Sequence, residues 1–416
     1  MLEKRRLNYA LRIKSHSISL FFSGRAPQKS ADQNYAFSVN RNFFYLSGIT
    51  QQNVVLMIAK GEKEVDTYLF IEPVDPVKAL WDGASLSFEE AAKIVGIDPK
   101  FVKDISTLHQ YANQLLSTSR RALYGQIETF YLDLERQSDT SSPSLASQFA
   151  TYLQQMYPYL KLETNQMILA ELRMVKDITE IETVKKAIQI TEKGLSRIMS
   201  HLRPGVSEYQ MQAEYNYVLN YHLTQPAFDT IAASGVNATI LHYVENQDEV
   251  GDSDLILLDL GVELDYYNSD ITRVFPVSGT FTDRQKAIYE VVLEANKKTI
   301  AWLKAGVTLK EFNDFGKQVL IDGAKRLGLI KEDDEIGTYY YHSLGHYLGL
   351  DVHDGGNYSL PIPEGALITV EPGLYIKEEK IGIRIEDDVI VTKDGCINLS
   401  ESIIKEVVDI EKFMKK

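Results

Sequence analysis

Two rhythms of apolar and polar positions run along the chain. SISLFF (17–22), NVVLMIA (53–59) and DTYLFIE (66–72) are short continuous apolar runs and read as strands. Between and after them the spacing becomes helical. In SFEEAAKIVGI (87–97), Ser87 is placed as an N-cap with Glu90 as its capping-box partner. The polar, Ser-rich stretch SDTSSPSLASQ (138–148) reads as a surface loop leading into a helix. A domain boundary is expected within 160–175. Beyond it DITEIETVKKAIQITEKGLSRIMSHL (177–202) predicts a long amphipathic helix, with Ile181, Val184, Ile188 and Leu195 close to one face and RPGVSE as its stop. Helical spacing returns in 207–223 and 282–306. Strand-like segments with Gly and Pro punctuation fill 227–279 and 338–395. The pattern predicts an α/β unit over 1–165 and a second, mixed α and β unit over 166–416.

The bulk numbers fit this division. A chain of 416 residues is long enough for about two to three domains. With 44% hydrophobic and 25% charged residues it has the makings of an ordinary core. A net charge of −14 argues against a nucleic-acid partner, whose phosphates call for a basic surface. The single cysteine, Cys396, excludes an internal disulfide and a thiolate metal cluster. The first 22 residues carry charges and lack an apolar segment of signal-peptide length, and no run approaches the roughly 20 apolar residues of a membrane span. The expectation is a soluble cytoplasmic protein with no membrane partner.

Two stretches echo each other. ILLDLGVELDYYNSDITRVF (256–275) and LITVEPGLYIKEEKIGIRIEDDV (367–389) each run from an apolar strand to a carboxylate, then x-Gly, a turn, and a return strand with a carboxylate and an arginine. The echo suggests an internally duplicated domain. Strand parity puts Leu255, Leu257 and Asp259 on one face, and Asp270, Thr272 and Val274 on one face of the return strand. In the second hairpin Leu367, Thr369 and Glu371 share a face, as do Gly382, Arg384 and Glu386. Four acids thus interrupt apolar strand faces. Crowded carboxylates repel and resist desolvation, and divalent cations are the usual remedy. Asp265, Asp387 and Asp388 read as solvated acids, the first in the turn and the others after Glu386.

Between the hairpins lies HSLGHYLGLDVHD (342–354), which holds three of the chain's eight histidines. His342 and His346 have the i, i+4 spacing of a zinc helix, but Ser343 stands where a general-base Glu is needed, and Gly345 and Gly349 are poor in a helix. A Gly-rich loop followed by a strand, LGLDVHD, is expected instead. Four carboxylates and one histidine form an oxygen-rich donor set, which suits hard ions such as manganese better than a structural zinc site does.

These motifs resemble those of the pita-bread metallopeptidases. HSLGHYLGLDVHD is similar to their proline-peptidase signature, and LLDLG, NSDITR, HSLGH, TVEPGLY and IRIEDD match their ligand motifs in order. SADQNYAFSVNRNFFYLSGI (30–49) resembles the non-catalytic N-terminal domain of Xaa-Pro aminopeptidases, and LRMVKDITEIETVKKA (172–187) the entry helix of their catalytic domain. The resemblance implies an α/β N-terminal domain followed by an α+β pita-bread catalytic domain with an internal pseudo-twofold repeat. It implies two divalent ions per subunit, manganese by preference, held by Asp259, Asp270, His346, Glu371 and Glu386, with Asp270 and Glu386 bridging.

By position, His242 and His353 would line the substrate site and assist proton transfer. His342 and Arg384 would support the ligands or touch substrate. The implied reaction is hydrolysis of the N-terminal Xaa-Pro bond of peptides by a metal-bridging hydroxide. His242 would stabilise the oxyanion and Glu371 would carry the proton. Peptides with proline second are the implied partners, and a homodimer or tetramer the implied assembly. Two alternatives stay open: an Xaa-Pro dipeptidase (prolidase), and an inactive peptide-binding relative. Trp81 is read either as a core aromatic or as a cap on a neighbouring subunit's site. His16, His109, His201 and His222 are assigned no role.

Overall fold

The three apolar runs of the N-terminal half become neighbouring strands. The computed structural model describes residues 1–119, 122–136 and 138–415. Its strands in this half are β1 (Ser17–Phe22), a small hairpin of β2 (Gln28–Ser30) and β3 (Gln33–Asn34), β4 (Val55–Lys60), β5 (Val65–Ile71), β6 (Val102–Asp104), β7 (Thr129–Leu132) and β8 (Lys161–Thr164). Six of them form one sheet in the order β6-β5-β4-β1-β7-β8. β4 is antiparallel to both its neighbours, and the remaining pairs are parallel. The helices are α1 (Leu2–Arg12), α2 (Arg41–Ser47), α3 (Pro76–Asp82), α4 (Phe88–Val95), α5 (Leu108–Leu116) and α6 (Leu145–Met156). Ile18, Leu20, Met57, Phe70, Phe130 and Leu153 meet in a core with no solvent exposure, which explains why these strands read as continuous apolar runs. α4 begins with the expected reciprocal cap between Ser87 and Glu90. Trp81 lies on α3 at 84% exposure and is not a core aromatic.

The chain divides into compact units at Leu172, inside α7 (Gln166–Met174) and a few residues beyond the 165/166 boundary. The second unit contains α8 (Ile178–His201), α9 (Glu208–Tyr221), α10 (Asp283–Trp302), α11 (Leu309–Arg326) and α12 (Val407–Met414). α8 covers the predicted amphipathic helix. Asp177 and Glu180 cap it, and Val184, Ile188 and Leu195 are buried while Ile181 is half-buried. The strands are β9 (Gln225–Pro226), β10 (Ile231–Ser234), β11 (Leu255–Leu260), β12 (Val262–Leu264), β13 (Tyr267–Asn268), β14 (Ile271–Pro276), β15 (Leu367–Val370), β16 (Gly373–Ile376), β17 (Ile381–Arg384), β18 (Asp387–Val391) and β19 (Cys396–Asn398).

Two long hairpins dominate this unit, and each is interrupted at its acids. In the first, β11 pairs with β14 and β12 with β13, around a turn at Asp265 and Tyr266, both with positive φ. Asp259 faces Thr272 across the ladder, so parity brings Asp259, Thr272 and Asp270 to one face. In the second, Val370 faces Asp387 and Gly373 faces Arg384. The same register carried across the break sets Glu371 opposite Glu386, and the Ile385 N–H still bonds the Pro372 carbonyl at 3.2 Å.

The hairpins are stitched to each other along β14 and the β17–β18 arm. The Glu386 N–H donates to the Thr272 carbonyl at 3.1 Å, and Thr272 Oγ1 donates to Glu386 Oε2 at 2.6 Å. One residue further on, Arg273 bonds Asp387 Oδ1 at 2.8 Å and the Glu386 carbonyl at 2.5 Å.

Two expectations are corrected. Asp387 and Asp388 are fully buried, not solvated. Asp387 pairs with Arg273 and Lys405 and accepts from Ser400. Asp388 Oδ2 accepts the Asp270 N–H at 3.1 Å. Burial alone would raise Asp387, but Arg273 and Lys405 outweigh it and hold the group below the usual carboxylate range. LGLDVHD is not a strand. Its backbone groups go elsewhere: the Gly349 carbonyl accepts from the Asn268 N–H at 2.9 Å, and the Asp354 N–H returns to the Tyr347 carbonyl at 2.8 Å. Asp354 is anchored by Arg173 and Lys176, so side-chain partners hold this loop where a ladder was expected.

The Arg273–Asp387 pair carries a prediction. Both partners are fully buried, so Arg273→Met leaves a carboxylate short of countercharge and should destabilise the fold by about 3–5 kcal/mol. The denaturant midpoint measures this, and an unchanged midpoint would refute the importance assigned to the pair.

Candidate metal centre

The interrupted hairpins and the histidine loop converge on one cluster. Asp270, His346 and Glu386 each offer a ligand atom, all within 4.8 Å of one another. His346 Nε2 lies 3.4 Å from Asp270 Oδ2 and 3.6 Å from Glu371 Oε1. Its Nδ1 is 3.0 Å from the Tyr347 carbonyl and donates to it, which turns Nε2 toward the acids. Thr369 supports the same corner, accepting the His346 N–H at 3.1 Å and donating to Glu371 Oε1 at 3.2 Å. Asp259 is held apart from this group by Arg384, whose Nη2 lies 2.5 Å from Asp259 Oδ2.

Arg384 is the hub behind the cluster. It is buried, and its other donors reach Thr272 Oγ1 at 3.1 Å and the Tyr375 hydroxyl at 2.9 Å. Because Tyr375 accepts from Arg384, its own proton goes to His342 Nε2 at 2.9 Å. His342 therefore carries its proton on Nδ1 and donates to the Ser343 carbonyl at 2.7 Å. Burial first, then Arg384, lowers its pKa to about 4 and keeps it neutral. Thr272 and Tyr375 were not singled out in the sequence. Each shares a strand face with an acid that was: Thr272 with Asp270, and Tyr375 with Glu371.

A cavity of about 310 Å³ opens over the acids, lined by Leu241, His242, His342, His346, His353, Tyr358, Glu371 and Arg384 among others. His242 and His353 are exposed at its mouth, and the His353 ring stands edge-on to His346 with centroids 4.4 Å apart. Burial, then the neighbouring His346, lowers the pKa of His353. The structure thus gathers the four named histidines, Glu371 and Arg384 around one opening, with Asp270 and Glu386 beneath.

Whether these residues suit a metal is a question of charge. Burial pushes Asp270 up to about 6, with Asp259 adding to it against His346 and Arg384. Burial likewise takes Glu371 to about 7 and holds Glu386 well above its ordinary value, with Asp270 and Glu371 adding to the latter. Burial opposes a proton on His346, but Asp270 and Glu371 outweigh it and raise the ring to about 9. Asp259 Oδ1 is buried without a hydrogen-bond partner. Acids that cannot all ionise, an orphaned carboxylate oxygen and an aimed imidazole nitrogen make a donor set that fits divalent cations.

Comparison with known proteins identifies the lineage. The family described as metallopeptidase family M24 matches residues 182–393, and aminopeptidase P, N-terminal domain, matches residues 2–124. The chain belongs to metallopeptidase family M24. The Xaa-Pro aminopeptidase of Haemophilus influenzae is 33% identical over 99% of this chain and 96% of its own length. Among solved structures, a Bacillus anthracis protein assigned as an aminopeptidase P superposes with a TM-score of 0.95 at 42% identity, covering 100% of this chain and 97% of its own. Escherichia coli aminopeptidase P, in its low-pH form, gives 0.89 at 30% identity, covering 100% and 97%. The fold is that of the M24 aminopeptidases P, with an α/β N-terminal domain and a pita-bread catalytic domain. The chain is a metallopeptidase, and its family implies a divalent metal. Among the described residues, no helix is long and apolar enough to cross a membrane.

The acids of this M24 site give its metal-free form a distinct pH dependence. Glu371, at about 7, and Glu386, held well above its ordinary value, keep protons in the fold that their unfolded counterparts lose near pH 4, and His346 holds its proton to about 9. The folded state binds more protons, so stability falls as pH rises between roughly 6.5 and 9. The lowered values of His342 and His353 act the opposite way, but only below about pH 6.5, where the unfolded imidazoles are charged. Chelator-treated protein should therefore melt at a lower temperature near pH 8.5 than near pH 6.5, and added manganese should close the gap. A melting temperature that does not change with pH in the stripped protein would contradict this account.

Proposed function

We propose that the chain removes the N-terminal residue from peptides whose second residue is proline. One observation carries the reading: the cavity lined by His242, His342, His353, Glu371 and Arg384 opens over the acid cluster, in a chain similar over nearly its full length to proteins named Xaa-Pro aminopeptidases. In this reading Asp259, Asp270, His346, Glu371 and Glu386 hold two divalent ions, with manganese preferred by an oxygen-rich donor set. When bound, the ions supply Lewis acidity, which makes water acidic enough to attack near neutral pH and polarises the scissile carbonyl.

The chain's own groups do the rest. Glu371 lines the cavity over the acids, where it is placed to take a proton from the attacking water and give it up again. The recipient is the proline nitrogen, a tertiary amide with no N–H of its own, which must gain a proton as it leaves. His342, kept neutral and fixed through Tyr375 and the Ser343 carbonyl, borders Glu371, with Nδ1 3.8 Å from Oε2. His242 donates to the carbonyl oxygen as charge develops on it. His353, with its lowered pKa, stays neutral beside His346 and bounds the site on the substrate side. Leu241 and Tyr358 offer apolar wall for the proline ring. Arg384 orients Asp259, Thr272 and Tyr375 together, so it acts on every part of the centre.

A length series tests the activity. Manganese-loaded protein should release alanine from Ala-Pro-Ala faster than it cleaves the dipeptide Ala-Pro. Preference for the dipeptide would make it a prolidase, and failure on both would return it to peptide binding without catalysis. Asp270→Ala and Glu386→Ala should each reduce turnover to background with loss of bound metal, and parental turnover in either would break the ligand assignment.

A further inference from the structure

His242 stands at an exposed turn in the segment from Ser234, the end of β10, to Asp248. That segment holds one short 3-10 turn, Gly235–Thr239, and is otherwise irregular. Irregular backbone keeps one conformation only where other groups answer its donors and acceptors. Here a single side chain does most of this. Glu208, the first residue of α9, has no solvent exposure. Its Oε1 accepts from the Ser234 N–H at 2.7 Å, Ser234 Oγ at 2.8 Å and Asn237 Nδ2 at 3.1 Å. Its Oε2 accepts from the Tyr243 hydroxyl at 2.7 Å and the Asp248 N–H at 3.0 Å. The Glu208 N–H donates in turn to the Asp248 carbonyl at 3.0 Å.

Every partner of this carboxylate is a donor, so only an acceptor-only group satisfies them all. An amide in its place would turn an NH₂ against a donor. The rest of the segment is braced too. Asn246, buried, bonds the Ala232 N–H at 2.9 Å and the Thr230 carbonyl at 2.7 Å. The Ala238 carbonyl rests on the bare backbone of Gly382, where a Cβ would lie only 1.9 Å away. Gly382 is two residues from Arg384 on β17, so the segment is seated directly on the strand that carries the hub of the metal centre.

We propose that Glu208 is a positioning residue: by tying Ser234, Asn237, Tyr243 and Asp248 to one carboxylate it fixes His242 over the metal centre and acts on the reaction through it. The proposal rests on the reading of His242 as a substrate-side group. Glu208 itself is sealed from substrate.

Glu208→Gln in the manganese-loaded full chain tests it, alone and combined with His242→Ala. Amide hydrogen exchange should quicken across 235–248 and stay unchanged in 255–276 and 367–391. For Ala-Pro-Ala, kcat/KM should fall on the order of 10- to 100-fold, mostly in kcat, as a displaced catalytic group predicts. In the His242→Ala background the same substitution should cost no more than about twofold, because coupled residues are not additive. Unchanged exchange in 235–248, or an equal fold-loss in both backgrounds, would overturn the proposal. If Glu208→Gln does not fold, Tyr243→Phe removes one of the donors and is judged by the same two readouts. Full activity in His242→Ala alone would instead sink the substrate-side reading of His242, with the exchange result still judging the clamp.

Discussion

Burying carboxylates while keeping them charged is the constraint on which the C-terminal unit is built. Asp270, Glu386, Asp387 and Asp388 all lie at 5% exposure or less, with Asp259 and Glu371 beside them. Each carries a desolvation cost that is offset only by an opposite charge or by several hydrogen bonds. The chain meets this cost on one side of the strands and leaves it unmet on the other. Behind the centre the answer is permanent: Arg273 and Lys405 neutralise Asp387, and its pKa falls. In front, the pKa values of Asp270, Glu371 and Glu386 rise, because Arg384 and His346 do not suffice. The unmet charge is in the place where cations would bind, which makes the deficit the functional feature and the saturated pairs its support.

The duplicated hairpins show how this asymmetry grows out of a symmetric frame. Aligned on Asp259–Gly261 and Glu371–Gly373, Thr272 corresponds to Glu386, Asp270 to Arg384 and Arg273 to Asp387. The bonds between the hairpins join two of these equivalent pairs directly: Thr272 with Glu386, and Arg273 with Asp387. Twofold-like backbone thus brings corresponding positions face to face, while the side chains there are unlike. A strictly repeated sequence would set acid against acid or arginine against arginine along this line. Divergence between the halves gives complementary partners instead.

Much of this was legible in the sequence, because apolar runs, capping boxes and strand parity are local. Strands β1, β4 and β5 of the N-terminal sheet, the cap at Ser87 and Glu90, and the shared face of Asp259 and Asp270 needed no knowledge of distant neighbours. What stayed hidden depended on partners far along the chain. Gly316 and Gly323 count against a helix interior, yet α11 runs through both from a capping box of Thr308 and Glu311. In the fold both are packing sites, where a Cβ would come within 2.3 Å of Leu344 and 2.2 Å of Val291. LGLDVHD alternates like a strand, yet Asn268 takes the Gly349 and Leu350 carbonyls and the Asp354 N–H turns back to Tyr347, so no ladder forms. Asp387 and Asp388 read as solvated because nothing nearby in sequence announces Arg273 and Lys405, the partners of the first, or the Asp270 N–H that the second accepts. Nothing near Glu208 in sequence announces Ser234, Tyr243 or Asp248 either.

The division of labour between regular and irregular backbone follows from these requirements. Groups that must share one charge need fixed mutual distances, and strands supply them: the acids stand on or beside the ladders of the two hairpins. Groups that meet a changing substrate need access, and His242 and His353, which the proposed function puts in that role, are exposed on irregular segments. Access costs rigidity unless something buried restores it. In both cases a buried acid does so, Glu208 under the first segment and Asp354 under the second, each joining stretches far apart in sequence. A carboxylate suits this task better than an apolar side chain, because it fixes direction as well as contact and can gather several donors at one point. In the proposed reading the acids that hold these histidines in place are therefore as much a part of the site as Asp270, Glu371 and Glu386.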